Sequence, residues 1–250
     1  MEYKYEKCVV MYPHDYIEKL KEGYIFVQPN GRAHFKDLFE KIEQRQNEHI
    51  EVKFAYAYML FNKDREGARE ESISIIRELS SKGHLPAMSA YSLMLFNGEY
   101  VEKDEKQARE LLDKCIERDF AVAMDNKAIM LMKGEFGYER NLNEALTYAK
   151  RASELGYNMA TYRVGRIYSI KRPCLTNLLN AVKYFEMADM SAFPDVILNM
   201  LGEAYRKLGK GYTYGRYGIP INEEKGKEYL DKALNVFEKT KKRTQNQGTI

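Results

Sequence analysis

The sequence predicts an all-α protein, an α-solenoid of about five helix-turn-helix repeats behind an irregular N-terminal cap. Three observations carry that prediction. Small and apolar residues recur with a period near 36, their spacing inside each copy is helical, and Gly, Asp and Asn return at the places where helices would end and begin. Each helix pair of such a fold leaves an apolar face bare and buries it only against the next pair, so the chain repeats rather than closing a single core.

The first 50 residues are the irregular end. A helix is expected over 35–46, with Leu38, Phe39 and Ile42 on one face, where the second helix of a preceding repeat would fall. Ahead of it, Tyr24 to Pro29 followed by Asn30-Gly31 has two readings. One is a short strand and turn; the other, preferred, is a degraded inter-helix loop after a helix near 15–21.

The repeats follow over 51–238. Tyr56, Ala57 and Leu60 with Ile73, Ile76, Leu79 and Gly83 form the first copy. The second runs through Ala87, Tyr91 and Leu95, past Gly98, Val101 and Asp104, to Ala108, Leu112 and Cys115. In the third, Ala123, Ala128 and Leu131 precede Gly134, Gly137 and Asn141, then Ala145, Tyr148, Ala149, Ala152 and Gly156; Ala87 to Ala123 is 36 positions and Ala108 to Ala145 is 37. The fourth comprises Ala160, Val164, Gly165, Tyr168, Asn177, Ala181, Phe185 and Ala188, and the fifth Leu201, Gly202, Tyr205, Gly218, Asn222, Gly226, Tyr229 and Ala233.

Alanines seven apart, Ala145 with Ala152 and Ala181 with Ala188, lie two turns apart on one helical face and let a neighbouring helix come close. Gly83 and Gly156 follow second helices, where a left-handed residue ends the helix and turns the chain. Asp104, Asn141, Asn177 and Asn222 stand where second helices start, each with a side-chain oxygen suited to cap free N–H groups. A basic tail is expected over 239–250.

Composition excludes several classes. With 44% hydrophobic and 31% charged residues the chain is neither disordered nor fibrous, and a net charge of +3 implies neither nucleic acid nor an anionic membrane by itself. No apolar run approaches transmembrane length, and the N-terminal ten residues lack a signal-peptide core. Cys8, Cys115 and Cys174 are odd in number and far apart, which fits a reducing compartment and a cytoplasmic location.

Chemistry is sparse. His14, His34, His49 and His84 stand alone, with none at the i, i+4 spacing of paired metal ligands. Cys115 and Cys174 occupy slots where small apolar residues pack, so core cysteine outweighs a nucleophile. No phosphate-cradling Gly-rich motif is present, and the Glu70-Glu71 and Glu223-Glu224 pairs suit helix N-termini. No catalytic residue, cofactor or metal is expected.

These residues resemble the Sel1-like repeat, a relative of the tetratricopeptide repeat. The family pattern has an Ala, a Leu-Gly pair, a Tyr, a Gly-x-Gly-Val loop, an Asp, then Ala and a later Ala-Ala before a Gly. The closest copies are 123–156 and the half-copy from Gly218 through Asn222 to Ala233. Departures include Ser92 for the first-helix Gly, and Lys171 and Pro173 for both loop glycines. The resemblance implies a non-enzymatic adaptor or scaffold that binds a protein or peptide on its concave face.

The residues expected to touch that partner fall in two groups. Ser89, Asn126, Tyr162, Arg163 and Arg166 are polar or amphipathic positions of first helices. Tyr212, Tyr214, Arg216 and Tyr217 lie in an expected inter-helix loop, 209–218, about eight residues longer than the family spacing. That stretch has two readings, binding a partner or folding back to shield the end of the stack. Eleven cations against five acids over 206–250 also permit nucleic-acid binding as an alternative, with a hydrolase-like activity less supported.

Overall fold

The computed structural model describes residues 47, 50–61, 65–189 and 194–247. Among them there are ten α-helices and no strand: α1 Ile50–Phe61, α2 Ala68–Ser81, α3 Leu85–Asn97, α4 Glu105–Glu117, α5 Ala121–Lys133, α6 Leu142–Glu154, α7 Asn158–Ile170, α8 Leu175–Met187, α9 Pro194–Tyr214 and α10 Glu223–Gln247. The expected all-α architecture of helix-turn-helix repeats is what the chain forms. The readings made for residues 1–46 lie outside the described residues. The chain divides into two compact units, Met1–Ala123 and Met124–Ile250, with the boundary inside α5.

In the first unit α1 packs on α2, α2 on α3 and α3 on α4. Phe54, Leu60, Ile76 and Leu79 are fully enclosed in its core. The turn after α2 has the double hydrogen bond of a Schellman ending, His84 N–H to Leu79 C=O at 3.1 Å and Gly83 N–H to Ser80 C=O at 3.0 Å. Gly83 takes φ 77° there, as its place in the repeat predicts. After α4 the same pair of bonds recurs from Phe120 and Asp119, and Asp119 holds φ 56° without being glycine.

In the second unit α6 packs on α7, α7 on α8, α8 on α9 and α9 on α10, around Val164, Ile167, Leu178, Phe185, Ile197 and Leu208. Close approach is built on missing side chains. A Cβ on Gly165 would meet the Phe185 ring at 2.8 Å, and one on Gly209 would meet Leu230 Cγ at 2.7 Å and the Gly226 carbonyl at 3.1 Å.

Three of the four expected caps form. Asp104 accepts from Gln107 N–H at 2.9 Å, Asn141 from Asn143 and Glu144 N–H at 3.1 Å, and Asn222 from Lys225 N–H at 2.9 Å. Each such cap stabilises by about 1 kcal/mol. In all three pairs the cap residue's own N–H returns to the first helix, to Leu95, Leu131 and Tyr212 C=O respectively. Asn177 is the exception and a correction: it lies inside α8 and its side-chain amide donates to Arg172 C=O at 2.9 Å, while Cys174 stands at the N-cap. The loop from α7 to α8 is only residues 171–174, so the helix starts before Asn177 is reached.

The enlarged loop is a second correction. Residues 209–214 are helical, and the connection from α9 to α10 is 215–222, as long as the 134–141 connection from α5 to α6. The extra length sits in α9, which has 21 residues against 12 or 13 in α1, α3, α5 and α7. The eight or nine extra residues make a little over two helical turns, so the insertion continues the helix. The basic residues after 238 are not a separate tail as far as Gln247; they continue α10.

Candidate interaction surface

First helices lie deeper than second helices, and the sequence shows why. In α3 every residue from Ala87 to Phe96 except Tyr91 is buried, whereas α4 buries only Ala108, Leu112 and Cys115. A helix apolar all round has no solvent face to offer, while an amphipathic one does.

That burial decides the fate of the first group of expected contacts. Ser89, Asn126, Tyr162 and Arg163 retain only 2%, 3%, 7% and 5% of their surface. Arg163 of α7 is turned onto Asp125 of α5 in a two-pronged ion pair, Nε to Oδ1 at 3.2 Å and Nη2 to Oδ2 at 3.3 Å. Burial opposes the guanidinium charge, but the Asp125 carboxylate more than offsets it and the pKa is raised. Tyr162 donates to Met200 Sδ at 3.5 Å. Arg166, also on α7, is half-buried.

The second group separates by position. Tyr212, half-buried on α9, stacks on Tyr229 of α10 with centroids 5.8 Å apart and rings 3° from parallel, and Lys225 Nζ lies 5.7 Å from the Tyr212 ring centre. Tyr205 adds to this stack at 6.0 Å from Tyr229 and bonds Glu186; burial first, then that carboxylate, lift its pKa far above the phenol range. Tyr214 is 63% exposed with the Arg216 guanidinium 5.5 Å from its ring centre, and Tyr217 is 36% exposed in the turn that follows. Tyr217 has φ 62°, as Phe136 has φ 56° at the matching place of the earlier loop, so this left-handed backbone belongs to the repeat and not to Tyr217 in particular.

Beside these, the second unit has a groove of about 320 Å³ formed by Ser169 and Ile170 at the end of α7, Leu178 of α8, and Asn199, Met200, Glu203, Ala204 and Lys207 of α9. Sequence reasoning missed it. Its signal in the sequence is the extra length of the last copy, which lies in the helix that walls the groove and not in the loop.

Nothing gathered among the described residues resembles a metal or nucleophile site. No group of three or more His, Cys, Asp or Glu side chains is placed to hold a metal. His84 is buried at the start of α3, edge-on to Phe54 at 4.8 Å with Nε2 3.1 Å from Glu51, a packing role. The Cys115 thiol, enclosed beneath Leu85, is pushed up to about 12 by burial and carries no thiolate at neutral pH. No described helix is long and apolar enough to cross a membrane.

The Sel1 repeat family matches residues 85–119, 121–157 and 202–235. The α7–α8 pair falls outside these matches although it packs like the others; its loop is short and Lys171 leaves the helix in extended conformation, where the earlier loops use left-handed glycines. The fold is shared with a Sel1 repeat protein from Oxalobacter formigenes, at 18% identity and TM-score 0.56, over 88% of this chain and 85% of that one. It is shared also with c5321, a protective antigen of uropathogenic Escherichia coli strains displaying an SLR fold, at 17% identity and TM-score 0.51 over 79% of this chain. The chain covers 48% of that antigen, about half its length. No curated protein matches the sequence. The chain thus carries three Sel1 repeats, laid over helix pairs with left-handed turns and capped second helices, within a fold it shares with Sel1 repeat proteins.

Proposed function

We propose that the protein is an adaptor or scaffold that holds a peptide or protein partner on the concave face of its repeats and on the exposed end of α9. Sel1 repeats generally mediate protein–protein interaction. The observation that carries the reading here is the trio at the end of α9: Tyr214 open to solvent, Arg216 over its ring, and Tyr217 next in the chain. Rigid rings with a polar tip and a planar cation are the side chains that dominate interface energies, each hot spot contributing about 2 kcal/mol or more. Tyr212 supports them from behind through its stack on Tyr229. In this reading 51–238 form the binding module and 1–50 its cap. The free thiols of Cys115 and Cys174 favour a reducing cytoplasm as its place of work.

The test is recovery of partners from the native host with crosslinking mass spectrometry, comparing the wild type with a Tyr214→Ala, Arg216→Ala, Tyr217→Ala triple variant. A partner that crosslinks through Lys210 or Lys225 and disappears in the triple variant is the expected result. Partners recovered equally from both proteins would remove the end of α9 from the interface.

A further inference from the structure

The repeat match to the last copy begins at residue 202, yet α9 begins at Pro194. Asn199 and Met200 therefore lie in turns the repeat does not require, and they form one wall of the 320 Å³ groove. An insertion that builds a concave, mostly apolar site is where repeat proteins acquire individual binding properties. The volume is at the small end of the roughly 300–1,000 Å³ typical of ligand pockets, which suits one large side chain rather than a cofactor.

Charge narrows the occupant. Two charged residues line the groove, Glu203 and Lys207. Glu203 is already answered by Arg206, whose Nε reaches both carboxylate oxygens at 3.1 Å. Asp195, one turn before Asn199, faces Arg243 at 3.5 Å. Lys207 is left with its charge at the rim, and helical spacing puts Lys210 one turn beyond it. The α9 side of the rim thus presents the positive charge of Lys207 beside an apolar centre, with the Ile170 side chain 41% exposed at its edge.

We propose that this groove takes a single aliphatic or aromatic side chain of an acidic peptide, with Lys207 and Lys210 meeting the flanking carboxylates. The proposal rests on the reading of the chain as a protein-interaction module and identifies the chemistry of its partner. Apolar burial supplies affinity, and the flanking charges select against basic sequences and steer association.

The experiment is selection of a displayed random decapeptide library on the intact protein, followed by anisotropy with the enriched peptides. Enriched sequences are expected to carry one Leu, Ile, Met or Phe flanked by Asp or Glu. Lys207→Glu should weaken them on the order of ten-fold or more. Ser169→Trp should block them, because the half-buried Ser169 hydroxyl bonds only the Arg166 carbonyl of its own helix and the indole fills the groove. Should Ser169→Trp fail to fold by circular dichroism, Asn199→Trp blocks the groove from its exposed wall. Neutral or basic consensus sequences, indifference to both blocking variants, or no enrichment at all would overturn the proposal. So would a concentration-dependent dimer abolished by Ser169→Trp, which would make a second copy the occupant. Peptides insensitive to the groove but lost with Tyr214→Ala would sink the groove and leave the adaptor reading standing.

Discussion

In α5–α6 the inter-helix connection has positive φ at Gly134, Phe136 and Gly137, and in α9–α10 at Gly215, Tyr217 and Gly218, each 81 positions later. The caps Asn141 and Asn222 close both loops in the same way. The helices hung from these two loops nevertheless differ. Where the earlier pair buries Ala128 and Ala145 in one core, the later one has Gly209 and Gly226 at the same 81-residue offset. Gly156 ends α6 by turning left-handed, whereas Phe237 stands in that place in α10, packs over Gly202, and lets the helix run on to Gln247. The loop sets how two helices cross, and what extends beyond the crossing gives each pair its individual surface. In the last pair that surplus is the groove wall and the Tyr214 end.

The two pairs are also joined to α7 by different means, and this is where the largest effect is expected. Asp125 of α5 meets Arg163 of α7 in a buried ion pair, while one repeat on, Tyr162 of α7 meets Met200 of α9 through a weak sulfur contact. Asp125→Ala leaves a guanidinium enclosed without a partner and should cost about 3–5 kcal/mol in urea unfolding of the whole chain. Replacing both members, Asp125→Leu with Arg163→Met, should recover most of that loss, because neither charge then needs solvation. A cost under about 1 kcal/mol for the single change would mean that water reaches the pair.

The crossing comes next. Helix propensity alone favours Gly226→Ala by about 1 kcal/mol. Against it, the new methyl would meet Thr213 at its Oγ1 and, at 3.1 Å, at its backbone nitrogen, which cannot rotate away. Overpacking of about 1–3 kcal/mol should win, lowering the thermal midpoint, while Ala145→Gly in the earlier pair loses only the propensity term and small contacts. Stabilisation by Gly226→Ala would show that α9 and α10 have room to separate.

These contrasts mark what the sequence carried. Period, turns and caps were legible because Gly and Asx residues report backbone conformation directly, and the left-handed Gly83 and Gly156 stand where the period put them. The register of the last copy was misjudged because it was aligned from its Leu201-Gly202 start, although Gly215-Arg-Tyr-Gly218 repeats the sense of Gly134-Glu-Phe-Gly137. Loop residues with positive φ are the firmer anchor. The burial of the polar positions Ser89, Asn126 and Arg163 was not legible for a different reason: helical phase tells which side a residue is on, but not how fully α3, α5 and α7 are enclosed.

The smallest effect tests that backbone argument at the boundaries of α5–α6. The pair is entered through Asp119 and left through Gly156, both left-handed and each with a Schellman pair of hydrogen bonds. A non-glycine residue there costs roughly 1–2 kcal/mol, less for Asp, and glycine returns part of the gain as unfolded-chain entropy of about 0.5–1 kcal/mol. Asp119→Gly should therefore stabilise by under about 1 kcal/mol. At Gly156 a Cβ would meet nothing within 4 Å, so Gly156→Asp isolates the backbone cost from any clash and should destabilise by a similar amount. Paired denaturant midpoints decide it. Equal and opposite shifts would show the two turns to be interchangeable parts of the repeat, and a loss on Asp119→Gly would show that the Asp119 carboxylate contributes more there than its backbone strain costs.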